Sequence, residues 1–230
     1  MQHLILLHGA IGAKDQLTAI ADELRADFNV HLLNFSGHGG DPFPQTAFSI
    51  ELFAENVLQY IKQHGISTAN IFGYSMGGYV GMYLAKNFPA KINKLVTLAT
   101  KFYWDETIAA NEAKMLDAEK IEQKIPAFAK QLATRHSPNN WKEVLSKTKE
   151  LLLALGSNNV LRTEDYSTIN ISSLLLLGDR DKMVTLEETV AVYKQLPNAS
   201  FAVLPSTPHP VEQADVRLLC FLIKRFLTVQ

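Results

Sequence analysis

Short, nearly continuous apolar runs alternate with stretches of helical periodicity along most of this chain, and that alternation leaves few architectures open. A run with no polar residue at every second position is a strand covered on both faces, as in a parallel sheet sandwiched between helices. Such runs fall at residues 3–7, 30–35, 69–73, 94–99, 173–177 and 201–204. They predict an α/β fold built on a six-stranded, mainly parallel sheet with helices on both faces. Between them, Leu17, Ile20, Ala21 and Leu24 recur at helical spacing, and Ser49 stands where it would cap a helix bearing Ile50, Phe53, Val57 and Ile61. Thr185 with Glu188 forms a capping-box pattern opening a helix towards Gln195, and residues 211–227 have the pattern of a closing amphipathic helix.

One stretch breaks the alternation. From about 102 to 168 there is helical patterning and no strand, which predicts a core of residues 1–101 and 169–230 interrupted by a helical cap insertion, 102–168. Within it, Pro126 should split one helix. Ser137-Pro138 has the form of a cap followed by proline at the first helical position, with Trp141, Val144, Leu145, Thr148, Leu151, Leu152 and Leu155 recurring until Gly156. A chain of 230 residues that is 47% hydrophobic suits one domain with such an insertion.

The net charge of −1 comes without a long run of either sign, so the electrostatic footprint of a nucleic-acid or membrane-surface binder is missing and a small-molecule substrate is the expected partner. The first seven residues have no basic segment, and their apolar run is too short for a signal peptide or a membrane span, which makes the cytoplasm the default expectation. Cys220 is the only cysteine; it excludes an internal disulfide and sits in an apolar run, as a packing residue would. Nothing in the sequence sets an oligomeric state.

The chemistry concentrates at strand ends. Gly73-Tyr74-Ser75-Met76-Gly77-Gly78 follows an apolar strand and precedes a helix-forming run, the context of a nucleophile elbow. Serine is a poor nucleophile unless it is held out of the backbone beside a base and near amide donors, and a sharp strand-to-helix turn provides this. Gly9 to Gly12 form a glycine turn straight after the first strand, so the N–H groups of Ala10 (or Ile11) and Met76 are candidates for an oxyanion hole. The loop after the fifth strand, Gly178-Asp179-Arg180-Asp181, carries acids. Asp181 clears the strand end and is the better partner for a base, while Asp179 braces the turn. His209 stands between prolines in the loop after the last strand.

Serine, aspartate and histidine in that order, each in a loop at one edge of the sheet, resemble the α/β-hydrolase superfamily over nearly the whole chain: His8-Gly9, Phe35-Ser36-Gly37-His38-Gly39, the elbow, the acid loop and the histidine loop all have counterparts there. The resemblance implies a cofactor-free and metal-free enzyme with Ser75 as nucleophile, His209 as base and Asp181 as its orienting acid. Two departures from the family pattern are visible. The chain starts at what would be the family's third strand, which implies a minimal sheet, and Pro208 precedes the histidine where many relatives have glycine. His8 and His38 are expected to brace loops, while His3, His31, His64 and His136 share no metal-ligand spacing. Ile11, Phe102, Tyr103 and Trp104 are candidates for a substrate pocket, although the three aromatics suit packing between cap and sheet equally well. Arg135, His136 and Arg162 are read as solvated cap surface.

The function so implied is hydrolysis of a small carboxylic ester or thioester through an acyl-enzyme. The elbow string is also similar to that of the menaquinone-pathway synthases, lyases that eliminate pyruvate with the same triad. Those enzymes carry an arginine just after the double glycine, where this chain has Tyr79. A small-molecule receptor retaining the triad is the remaining alternative. Relatives that open epoxides or displace halide use an aspartate at the elbow, and this chain has Ser75.

Overall fold

The apolar runs become six strands, β1 (His3–Leu7), β2 (Asn29–Leu33), β3 (Ala69–Tyr74), β4 (Ile92–Leu98), β5 (Ser172–Gly178) and β6 (Ala199–Leu204), in a computed structural model that describes residues 1–229. Their order across the sheet is β2-β1-β3-β4-β5-β6, and every pairing is parallel. Parallel neighbours need a crossover, and the intervening helices supply it: α1 (Thr18–Leu24), α2 (Ile50–Gln63), α3 (Met76–Asn87), α4 (Glu106–Met115), α5 (Ala118–Lys124), α6 (Pro126–His136), α7 (Trp141–Ser157), α8 (Leu186–Gln195) and α9 (Val216–Thr228).

Alternation along each strand distributes the core into two layers. Ile5, Leu7, Ile71, Leu95 and Leu175 face a layer filled from α2, α3 and α8 by Phe53, Val57, Tyr79, Val80 and Val192. Leu4, Leu6, Phe72, Val96, Leu174 and Leu176 face the opposite layer, filled by Leu17 just ahead of α1, Ile20 and Leu24 from α1, and Leu219, Cys220 and Ile223 from α9. Cys220 is fully buried there, and burial pushes its thiol up to about 12, so it is a packing residue, as its apolar run predicts. The edge strands differ from the expectation of cover on both faces. β2 runs from exposed to half-buried, and β6 has a single buried residue, because each has a neighbour on one side only.

Several helix boundaries depart from their sequence signals for identifiable reasons. Ser137-Pro138 is a cis peptide ahead of α7 and not its first turn; the cap is Asn140, whose side chain accepts from the Lys142 amide at 3.0 Å. Gly156 does not stop α7 but lies within it, at its crossing with α4, where a Cβ would stand 2.5 Å from the Ala109 methyl and 2.9 Å from the Asp105 carbonyl. Pro126 does open α6, with Ile125 alone between it and the end of α5. The Thr185 hydroxyl accepts from the Glu188 amide as a cap should, yet the Glu188 carboxylate does not close the box: it accepts from the Phe102 and Tyr103 amides at 2.6 and 3.0 Å, tethering the chain as it leaves β4. The closing amphipathic segment breaks into a short 3-10 turn at Val211–Gln213 and then α9, which Asp215 caps.

Register puts the ends of the strands level. Leu7 pairs with Gly73, Tyr74 with Leu98, Leu98 with Leu176, and Gly178 with Leu204, so the loops after β1, β3, β5 and β6 emerge at one rim. The strand order reverses between β1 and β3, and open α/β sheets bind ligands outside the carboxyl ends of the strands at such a point. Among the described residues, no helix is long and apolar enough to cross a membrane.

Candidate active site

At the rim, β3 gives way to α3 through a single residue, Ser75, held at φ 51° and ψ −118°. A non-glycine residue there is strained by about 1–3 kcal/mol and persists only where the surroundings fix it. They do so closely: the Ser75 amide donates to Leu98 O at 2.8 Å, and its carbonyl accepts from the Gly78 amide at 3.0 Å. The turn leaves no room for side chains beside it. A Cβ on Gly73 would lie 2.4 Å from Gly77 O, and one on Gly77 would lie 2.3 Å from Leu7 O. Met76 is the first residue of α3, where amides have no acceptor within the helix and the helix dipole favours negative charge.

Asp181 and His209, the candidate acid and base, arrive from the other half of the sheet. His209 Nδ1 donates to Asp181 Oδ2 at 2.8 Å, while Asp181 Oδ1 accepts from the Met183 and Val184 amides at 2.8 and 2.9 Å. Burial raises the Asp181 pKa, but the hydrogen bonds from His209, Val184 and Met183 outweigh it and hold the carboxyl below its ordinary value. With the δ proton committed to Asp181, the neutral His209 ring presents Nε2 as an acceptor. Asp179 ties the acid loop to the histidine loop, accepting from the Thr207 amide at 3.1 Å, while the Arg180 amide donates to Thr207 O at 3.1 Å. Lys101 steadies the acid loop from behind, donating to Met183 O at 2.7 Å with Glu112 3.6 Å away.

Ser75, Met76, Ala10, Ile11 and His209 all line one cavity of about 570 Å³, together with apolar residues from the segment between β4 and β5, among them Ile121, Phe128, Leu151 and Leu155. Of the four pocket candidates, Ile11 and Trp104 line it and Phe102 and Tyr103 do not. Phe102 is buried in the core, edge-on to the Tyr166 ring at 5.9 Å, and Tyr103 is 50% exposed. Because Glu188 holds both of their amides, the chain turns so that Trp104 is the aromatic that reaches the cavity.

The histidines divide as expected, with one exception. His8 donates from Nδ1 to Gly9 O at 2.8 Å and accepts at Nε2 from the Phe35 amide at 3.2 Å, and burial lowers its pKa to about 3. His38 donates to Ser36 O at 3.2 Å, and burial again holds it well below the ordinary value. His136, expected on solvated surface, is fully buried: its Nδ1 accepts from the Gly39 amide at 3.1 Å and its Nε2 donates to Ile11 O at 3.0 Å. Arg135, expected beside it in solvent, has a side chain only 6% exposed, 3.0 Å from Asp15 and 3.3 Å from Glu212. Arg162 is exposed, as predicted. Among the described residues, no group of three or more His, Cys, Asp or Glu side chains is placed to hold a metal ion.

These buried histidines fix a pH dependence. The unfolded chain takes up protons at histidine near pH ~6.5, whereas His8, His38 and His136 resist protonation when folded, so stability declines as pH falls through that value. Each contributes a loss of up to ~1.4 kcal/mol per pH unit, continuing for His8 towards its folded value. Urea midpoints should therefore change little from pH 8 to pH 7 and fall from pH 7 to pH 5; a flat profile over the lower range would contradict the neutral buried assignment.

Residues 2–140 match the family model described as the alpha/beta hydrolase fold. The chain is 24% identical to Lipase 3 of a Moraxella species, over 90% of this chain and 71% of that protein. It is 27% identical to the pimeloyl-[acyl-carrier protein] methyl ester esterase of Vibrio parahaemolyticus, over 97% of this chain and 93% of that one. Among solved structures, the enol-lactonase from Burkholderia xenovorans superposes with a TM-score of 0.80 at 18% identity, covering 99% of this chain and 92% of the other.

Proposed function

The chain belongs to the α/β-hydrolase family, and from that premise we propose that it is a serine hydrolase that cleaves a small carboxylic ester or thioester through an acyl-enzyme. The observation that carries the proposal is His209, joined to Asp181 at 2.8 Å and lining the same cavity as a serine in strained elbow geometry. In this reading His209 Nε2 takes the Ser75 proton as Oγ attacks the carbonyl carbon, and Asp181 holds the ring in the required tautomer and stabilises the imidazolium. The Ala10 and Met76 amides hydrogen-bond the oxyanion. The tetrahedral intermediate collapses with expulsion of an alkoxide or thiolate, which leaves with the proton from His209. Water, deprotonated by the same nitrogen, then releases the carboxylic acid and restores Ser75.

The mainly apolar lining suits a substrate whose acyl or alcohol part is hydrocarbon, and the cavity lies within the ~300–1,000 Å³ range usual for small-molecule sites. We assign the roofing helices α4 to α7, within 102–168, as a cap over that pocket. Relatives named as a lipase and a methyl ester esterase support ester bonds as the target. Tyr79, where the pyruvate-eliminating synthases have arginine, is buried and its hydroxyl is bound to Asn159, so it supplies no cation for an anionic substrate.

The purified protein should hydrolyse short p-nitrophenyl esters with a pre-steady-state burst, and a fluorophosphonate should modify the tryptic peptide containing Ser75 and no other. Absence of both turnover and labelling, or labelling at another serine, would reject the proposal.

A further inference from the structure

Resting on that reading of the site, we propose that His136, from the cap, is a positioning residue that holds the oxyanion loop in its working shape. Ile11 follows Ala10 and sits at φ 51°, a left-handed conformation that a β-branched residue adopts only under constraint. Its carbonyl accepts from His136 Nε2 at 3.0 Å. The other nitrogen of the same ring accepts from the Gly39 amide at 3.1 Å, in the loop after β2, where Gly39 is itself left-handed at φ 58°. One imidazole thus links two loops of the core, each with a left-handed residue and one of them strained at Ile11, to the last residue of α6.

The ring has little freedom to do anything else. It is fully buried, and the His38 ring stands beside it with centroids 5.8 Å apart. Both nitrogens are engaged, one as donor and one as acceptor, so the group is neutral and has no proton site left for chemistry. The preceding residue fixes the same helix end from outside, since Arg135 lies between Asp15, downstream in the β1 loop, and Glu212, just past His209. Cap, oxyanion loop and histidine loop are joined at this point. Without the bond from His136, the Ile11–Gly12 peptide retains the bond from the Gly12 amide to Gly9 O at 3.2 Å but loses the clamp on its carbonyl, so the strained Ile11 backbone relaxes towards negative φ and the adjacent Ala10 amide turns with it away from the developing oxyanion.

Two substitutions separate the two hydrogen bonds. In His136→Gln the side-chain amide nitrogen reaches about where Nε2 stood and keeps the bond to Ile11 O, losing the one to Gly39. In His136→Asn the amide oxygen takes the place of Nδ1 and keeps Gly39, losing Ile11. A merely structural histidine predicts that both variants lower Tm and leave kcat per active site unchanged. A positioning role predicts that His136→Asn lowers kcat on a p-nitrophenyl ester about 10- to 100-fold with KM within about twofold, since displacing one oxyanion donor costs up to ~10²–10³. His136→Gln should stay within about threefold of the parent in kcat. Active sites are counted by fluorophosphonate titration. Equal kcat in the two variants, or an effect of His136→Asn on KM alone, would overturn the proposal. Hydrogen exchange of the segment 9–13 gives a readout independent of turnover: its amides should exchange faster in His136→Asn than in His136→Gln. If the parent enzyme turned over no ester, that difference would still decide whether His136 holds the loop, and the failure would belong to the ester assignment alone.

Discussion

Ser75→Ala should reduce kcat on any ester substrate by about 10⁴- to 10⁶-fold, the loss seen when a triad nucleophile is removed and only binding and oxyanion stabilisation remain. Fluorophosphonate labelling should vanish with it. The fold should survive, because the Ser75 backbone amide and carbonyl make the contacts that hold the elbow, and alanine keeps both. The strain survives too, since alanine at φ 51° carries the same Cβ. Ser75→Gly removes the Cβ and the catalytic hydroxyl together, so it should be as inactive as Ser75→Ala yet melt higher. A difference of ~1 kcal/mol corresponds to roughly 2–4 °C in a chain of this size, and strain at such positions is about 1–3 kcal/mol, partly offset by the greater freedom of glycine in the unfolded chain. Glycine and alanine variants with equal Tm would mean that the strain at the elbow is no larger than that offset, and turnover by Ser75→Ala near that of the parent would remove Ser75 from the mechanism.

What could be read in the sequence follows the range of the interactions involved. The strands were legible because apolar runs report a two-sided environment locally, and the elbow because a side chain at Gly73 is excluded by Gly77 O in its own turn; Gly77 itself is kept bare by the Leu7 carbonyl at the end of β1. Asp181 and His209 were legible because each follows a strand whose end the parallel register must bring to the same rim. Interactions between distant segments were not. The partners of His136 lie 97 and 125 residues away, and no spacing in the chain announces them; an Arg-His pair at the end of a polar helix has the same local pattern whether it faces solvent or the core. The pocket reading of Phe102 and Tyr103 failed for the same reason, because their direction is set by Glu188, 86 and 85 residues downstream, and Phe102 takes the alternative of core packing. Glu188 itself looked like half of a capping box, and its carboxylate found stronger use in two amides that would otherwise lack acceptors at the strand exit.

Asp181→Asn should cost about 10³- to 10⁴-fold in kcat while leaving the acid loop folded, and the separation of those two effects tests the role of the carboxylate most directly. The loop depends on Oδ1, which accepts from the Met183 and Val184 amides, and an asparagine oxygen takes those bonds unchanged. The amide nitrogen then occupies the position of Oδ2, facing His209 Nδ1. A donor there cannot meet another donor, so the ring shifts its proton to Nε2 and turns Nδ1 into the acceptor. The nitrogen that should take the serine proton now carries one of its own, and Ser75 keeps its hydroxyl hydrogen. Fluorophosphonate labelling should therefore slow roughly in step with kcat, although the serine and its surroundings are intact. Asp179→Asn, by contrast, leaves the His209 tautomer alone: its remaining oxygen keeps the bond from the Thr207 amide and the change is the loss of the charge contact with Arg180 at 3.7 Å, so its effect on kcat should be at least tenfold smaller. If the two asparagine variants lost activity equally, the carboxylate at 181 would be no more than a brace, and the charge partner of the base would have to be sought elsewhere on the rim.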